Sequence, residues 1–327
     1  MTLTPGTVIA DSRIAGRVFS GNIDDYPEGI IIPVDKPYRW TSADVVRKIN
    51  RAACRHFGKK NLKVGHAGTL DPLATGVLLI CIGKACRQAE TLQKEAKEYV
   101  AGISFGATTP SYDLEKAVDK LYPTDNVSEE SLRETLPNFI GEQDQVAPLF
   151  SAKSVDGVRA YELARKQFKA KGLAKSDVID GFDHSVAETL NVQKITIYEM
   201  ELLSFKAVAP LNLGRVHSRF AADEYGPGSR CPRPDNSSQY GPNSRINVAD
   251  TSGLGLPLAT IRVACSKGTY IRALARDLGE ALGTGAHLNS LRRTKSGGFD
   301  AETALSVGQA AGLFPTKDRE TPACQDN

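Results

Sequence analysis

The cysteines lack pairs. Cys54, Cys81, Cys86, Cys231, Cys265 and Cys324 include no Cys-x-x-Cys spacing, which argues against a zinc ribbon or a disulfide-stapled scaffold. Three of them, Cys54, Cys81 and Cys265, fall at positions that read as buried helix or strand. That is the usage expected in a reducing compartment, where thiols serve as small apolar residues. The five histidines are scattered without ligand spacing, so no metal site is assigned. No apolar run approaches membrane-spanning length, and the N-terminus lacks the basic, apolar, small-residue order of a secretory leader. A cytoplasmic protein is expected. There is no internal repeat. Net charge is also scarce, only +3 over 327 residues, so the chain as a whole is not a polycation. Any nucleic-acid affinity must come from local patches.

What is present is ordinary in bulk: 41% apolar and 24% charged residues, enough chain for one large or two modest domains with a real core. The charge is distributed unevenly. From Lys36 to Lys63 there are nine Lys/Arg against one acid, and from Arg262 to Lys295 seven against two. Residues 113–145 run the other way, nine acids against three bases. A charge run is ordinarily only a solvated face. Two basic blocks that each flank a candidate site are harder to dismiss.

Local patterns give the elements. GIIIPVDKP (29–37) reads as a short apolar run ending at Pro33 and then a turn. Thr41 or Ser42 caps a helix to residue 57 with Val45, Ile49, Ala53 and Phe57 at helical spacing, Gly58 as its stop, and Arg47, Lys48, Arg51 and Arg55 on its other face. KACRQAETLQKEA (84–96) reads as a helix, KEYVAGISFG (97–106) as an alternating strand, and 107–127 as loop. SEESLRETLPNFIG (128–141) is a helix capped by Ser128. Residues 145–167 read as an extended segment, a turn at Asp156-Gly157 and a short helix. NVQKITIYEMELLSF (191–205) is a long bent strand or a pair. LATIRVACSKG (258–268) is a strand, TYIRALARDLGEALG (269–283) a helix striped by Ile271, Leu274, Ala275, Leu278 and Leu282, and AHLNSLRRTKSGGF (286–299) a strand. Between them, 21 of the 46 residues from Pro210 to Gly255 are Gly, Pro, Ser or Asn, the composition of a disordered insertion. Residues 1–28 read as a loosely attached arm and 301–327 as a C-terminal tail.

The chemistry centres on GHAGTLDPLATGVL (65–78). Asp71 stands in a loop of small residues, biased by Pro72 toward an extended or turn conformation, and the apolar run VLLICIG (77–83) follows as a buried strand. On physical grounds alone Asp-Pro commonly starts a turn, and no ligand is specified.

This stretch resembles the catalytic motif of the TruB family of pseudouridine synthases at almost every position. Further blocks follow in the family's order: VDKP…WTSADVV (34–46), KEYVAGISFGATTPSYD (97–113), SAKSVDGVRAYELAR (151–165) and SKGTYIRALARDLGEALGTGAHLNSLRRTKSGGF (266–299). The resemblance covers roughly residues 29–300 apart from the insertion. It implies an α/β (α+β) fold, with a mixed, mostly antiparallel sheet flanked by helices and loops. It implies isomerisation of uridine to pseudouridine, and its bacterial branch acts on the T-loop uridine at tRNA position 55 without a guide RNA. By resemblance Asp71 is the catalytic carboxylate, Arg272 its cationic partner and Tyr99 the tyrosine that stacks on the base. His66, Leu291 and Lys36 are substrate-binding. No cofactor is called for, because no electrons or groups enter or leave. The implied partner is the tRNA T-arm, bound by a monomer with no obligatory protein partner.

Two departures stand out. Arg39 replaces a glycine of the first motif, and TTPSYDLEK (108–116) replaces the family's usual loop while keeping one acid, Asp113. No separate C-terminal RNA-binding domain is expected. The competing readings are a non-catalytic RNA-binding or RNA-folding protein on the same scaffold, and an RNA-guided enzyme acting on ribosomal RNA.

Overall fold

The structure is a computed structural model and describes residues 3–14, 16–148, 154–155, 158–159, 192–208, 246 and 248–315. In chain order come strands β1 (Val8–Ile9) and β2 (Ile30–Lys36), helix α1 (Ser42–His56), strands β3 (Val64–Ala67) and β4 (Ala74–Ile82), and helix α2 (Ala89–Lys94). Strand β5 (Lys97–Phe105), short strands β6 (Ala107–Thr108) and β7 (Lys120–Leu121), helix α3 (Glu129–Thr135) and strand β8 (Gly141–Val146) follow. Then come β9 (Ser154–Val155), β10 (Val158–Arg159), β11 (Val192–Lys206), β12 (Leu258–Cys265) and helix α4 (Ile271–Ala281). The last elements are β13 (Ala286–Ser296), β14 (Phe299–Asp300), β15 (Leu305–Ser306) and helix α5 (Val307–Gly312). They form two compact units, one of residues up to 95 and from 295 on, the other of 96–294.

In the first unit β2 and β3 both pair antiparallel with β4, while β1 and β15 pair parallel with β2. Ile31, Val77, Leu79 and Cys81 form one core with Leu92 of α2 and Phe299. The same strands turn Ile30, Ile32, Val34, Leu78, Ile80 and Ile82 to the opposite face, equally buried. Cover on both faces explains why β2 and β4 read as continuous apolar runs rather than alternations.

Pro33 does not end β2; the strand continues to Lys36. The carbonyls of Gly29 and Ile31 accept from Val8 and Ala10, so strand alternation sends Pro33's nitrogen to that side, away from β4. There it stands between the partners of β1 and those of β15, where its missing N–H breaks no ladder bond.

Helix α1 forms as its sequence indicates. Thr41 is the N-cap in a capping box with Asp44, and Val45, Ile49, Ala53 and Phe57 are buried. Burial opposes ionisation of Asp44, but hydrogen bonds from Thr41 and the adjacent Arg47 outweigh it and hold the carboxyl below its usual range.

The N-terminal arm and the described part of the C-terminal tail are packed closely into this unit. Phe19, Tyr26, Phe57 and Phe314 form an aromatic cluster of edge-to-face and tilted pairs, with ring centroids 5.1–6.0 Å apart. The buried His56 ring contacts the carbonyls of Phe19, Ser20 and Pro315 at 2.9–3.1 Å. Residues far apart in sequence make this anchor, so no local pattern announces it.

The second unit is an antiparallel run in which β5 pairs β12, β12 pairs β11 and β11 pairs β8. Residues 192–206 are one strand, bent at two register shifts, rather than a pair. The 107–127 stretch contains the β6–β7 ladder, and its departing loop is ordered by Asp113. That carboxylate accepts from the Ser111 hydroxyl at 2.6 Å and the Glu115 N–H at 2.9 Å. Neighbouring Tyr112 has φ +55°, and burial pushes its phenol up to about 12, so it stays neutral while Arg276 stands over its ring.

Parallel pairing includes β1 and β15 on β2 and an isolated bridge between Asp113 and Leu288, and the fold is α/β with mostly antiparallel pairing. The helix expected at 160–167 and the Pro210–Arg245 part of the insertion lie outside the described residues. At the end of the insertion, Ala249 donates to the Leu114 carbonyl at 2.8 Å and Thr251 is buried. Among the described residues no helix is long and apolar enough to cross a membrane. Cys81 and Cys265 are buried thiols that burial pushes up to about 12 and 11, whereas Cys54 is only half-buried.

Candidate active site

Asp71 lies in the β3–β4 connection of the first unit. Gly65–Ala67 and Ala74–Gly76, expected as loop, are strand, so the loop shrinks to residues 68–73. Glycines and alanines at 65, 67, 74 and 76 disguised strand ends whose pairing, of 65–67 with Leu79–Cys81 and of Gly76 with Lys36, decides the conformation. Four constraints hold this loop. The Asp71 carbonyl accepts from the Ala74 N–H at 3.1 Å, a turn with Pro72 at its second position. Leu70 and Leu73 are buried on either side. The Ser42 hydroxyl donates to the Leu70 carbonyl at 3.1 Å and accepts its N–H at 2.9 Å. The fourth is Lys36. The Asp71 side chain is half-exposed on this braced loop.

Lys36 is fully buried, and its Nζ donates to the carbonyls of Pro37 (3.1 Å), Trp40 (2.6 Å) and Pro72 (3.2 Å). These contacts bind the turn before α1 to the Asp71 loop, a bracing role that the substrate-binding expectation did not include. His66, on β3 opposite Ile80, is half-buried. Arg39 keeps the backbone a glycine would take, φ +62°. For a residue with a Cβ that conformation costs roughly 1–2 kcal/mol.

The other candidates belong to the second unit. Tyr99, 9% exposed, is on β5 opposite Val263. Leu291 is half-buried on β13. Arg272 is 4% exposed in the first turn of α4, where its Nη1 donates to the Ser111 carbonyl at 3.2 Å and its Nε stands 3.8 Å from Asp113. The helix has no side-chain cap of its own. The buried Gln145 replaces one: its Oε1 accepts the Tyr270 N–H at 2.8 Å and its Nε2 donates to the Tyr270 carbonyl at 3.2 Å. Neither Gln145 nor the Ser42 clamp was legible beforehand. A serine at a helix start signals a cap, and a lone glutamine in an extended segment signals nothing.

The two basic blocks differ. Arg47, Lys48, Arg51, Arg55, Lys59, Lys60 and Lys63 are exposed. Of the lysines and arginines in the block from Arg262 to Lys295, only Lys267 and Lys295 are exposed. Arg262 sits among Glu98, Glu199 and Glu201, 2.7 Å from each of the last two; Arg276 pairs with Asp277 at 2.7 Å; Arg272 and Arg293 are buried. A count of charges along the chain overstated the basic surface there.

Ser42→Ala would leave both backbone groups of Leu70 without their partner in a buried place. It is expected to cost about 1–3 kcal/mol of stability, read from urea denaturation, and to loosen the loop that presents Asp71.

Comparison with known proteins assigns the class. Residues 55–185 match the family model described as TruB family pseudouridylate synthase (N terminal domain), and residues 272–320 match the tRNA pseudouridylate synthase B C-terminal domain. The second match begins on α4 and runs through residues read from sequence as a tail. The chain belongs to the TruB family of pseudouridylate synthases. Relatives named tRNA pseudouridine synthase B include one from Phocaeicola vulgatus, 42% identical over 86% of this chain and 92% of its own length. Another, from Bacteroides fragilis, is 40% identical over 90% and 98%, and one from Flavobacterium johnsoniae 36% over 87% and 95%. Among solved structures, a chain of a Cbf5-Nop10-Gar1 complex is similar in fold, with TM-score 0.51 and 23% identity over 90% of this chain. This chain spans just over half (57%) of that one.

Proposed function

We propose that the chain converts the T-loop uridine at position 55 of tRNA to pseudouridine, with Asp71 as the catalytic carboxylate. The observation that carries this reading is a family membership that includes the whole Asp71 loop, together with the bracing of that loop by Ser42, Lys36 and buried leucines. The reaction cleaves the bond from uracil N1 to ribose, turns the base and rejoins it through C5. It is balanced without a redox partner or a transferred group, so it calls for no cofactor. A carboxylate suits it, being nucleophilic enough to attack and able to leave again.

In this reading Arg272 is the cationic partner of Asp71, its planar fork matching carboxylate geometry. Tyr99 stacks on the uracil, Leu291 lines its pocket, and His66 fills the space the flipped base vacates. Lys36 acts by holding the loop. Extraction of the base from its stack costs a few kcal/mol, offset by phosphate contacts to the exposed face of α1 and residues 59–63. The enzyme works as a cytoplasmic monomer on the tRNA T-arm.

The test is an unmodified tRNA transcript incubated with the purified chain and then mapped for pseudouridine. New pseudouridine at position 55 is expected. Binding or refolding of the transcript without conversion would replace this reading with that of a non-catalytic RNA-folding protein. Conversion only in the presence of an added guide RNA would replace it with the guided enzyme.

A further inference from the structure

We propose that Arg39 is a contact for a backbone phosphate of the RNA substrate, presented by a turn that holds it in a strained conformation. The identity of the ligand rests on the reading above; the contact itself rests on the turn. Residues Pro37–Trp40 form a reverse turn closed by the Trp40 N–H on the Pro37 carbonyl at 3.4 Å, with Arg39 third at φ +62°. Among the described residues only Arg39 and Tyr112 adopt positive φ without being glycine. Glycine meets such a position without strain, and asparagine or aspartate eases it with a short side chain that bonds its own backbone. An arginine stem offers no such local compensation. What distinguishes arginine here lies at the far end of its side chain.

The turn that carries it is well placed for RNA. The buried Lys36 ammonium that holds the Pro37 and Trp40 carbonyls also holds the Pro72 carbonyl, so the Arg39 turn and the Asp71 loop share one brace. Arg39 therefore sits on an element braced to the loop of the candidate carboxylate, and it is half-buried with its Nε enclosed. The helix that follows is basic on its exposed face, and its acid, Asp44, is engaged by Thr41 and Arg47. A phosphate flanking the flipped nucleotide meets positive potential there, and a guanidinium can grip two of its oxygens at once. Strain that persists at one residue beside a site is the pattern left when the residue is kept for binding rather than for the fold.

The experiment compares the full-length wild type with Arg39→Gly and Arg39→Lys, using an unmodified tRNA transcript. Arg39→Gly is expected to melt about 1–4 °C higher as the turn relaxes. It should bind the transcript roughly 5- to 20-fold more weakly, and the slope of log affinity against log salt should shrink by about one. Arg39→Lys should keep the salt slope and lose part of the affinity, because it retains the charge without the fork. Unchanged affinity and slope in Arg39→Gly would overturn the proposal, as would a lower melting temperature with an unchanged slope, the mark of an internal brace. A wild-type chain that binds the transcript without making pseudouridine would count against the activity and leave the Arg39 contact to be read from affinity and slope.

Discussion

Asp71→Asn is expected to abolish isomerisation, with turnover falling by about 10⁴-fold or more, while tRNA affinity stays within a few fold. Loss of a reacting group on this scale is what removal of a nucleophile typically causes. Asparagine has nearly the same shape, and the constraints described for the loop act through backbone groups and neighbouring side chains. The Asp71 carbonyl still accepts from Ala74, Ser42 still clamps Leu70, and Lys36 still holds Pro72. Stability should therefore move by less than about 0.5 kcal/mol, as for a half-exposed residue outside the core. Pseudouridine mapping on a T-arm transcript, beside a binding curve and a melt, separates chemistry from folding. Retained activity would remove Asp71 from its role, and lost binding would mean that the charge serves recognition.

The Asp71 loop also shows what a sequence can and cannot reveal. From residue physics, Asp-Pro signalled a turn, and a turn is there. That the carboxylate reacts came only from the resemblance of the whole motif. Helix α1 was readable in full, because capping and amphipathic spacing are local and Thr41, Asp44, Val45, Ile49 and Ala53 all act within a few residues of one another. Pro33 misled because a strand's tolerance for proline depends on which neighbour its nitrogen faces, a fact of pairing and not of the strand itself. The arm was missed for the same reason: Phe19 meets Phe314, and His56 ties both ends of the chain together. The second basic block misled in the opposite direction. Glu199 and Glu201 lie about sixty positions from Arg262, yet they occupy its guanidinium. Local signals determined the elements, and long-range pairing decided which charges stayed on the surface.

The second large effect is expected at Arg272, where stability and chemistry can be separated. Arg272→Ala removes the guanidinium beside Asp113, both side chains being under 10% exposed. A buried acid stripped of its cation typically costs 3–5 kcal/mol. Here the low end, about 3 kcal/mol, is expected, because the separation is 3.8 Å and Asp113 keeps its bonds from Ser111 and Glu115. Activity should disappear as well, since the proposed partner of Asp71 is gone. The decisive variant is the double one, Arg272→Met with Asp113→Asn. It neutralises both members of the pair at similar volume, so most of the lost stability should return, while turnover should not. Urea denaturation and pseudouridine mapping on the same three proteins give the answer. A double variant that recovers both would make Arg272 a structural residue. One that recovers stability alone would leave the guanidinium with work that folding does not explain, which is what a partner for the reacting carboxylate requires.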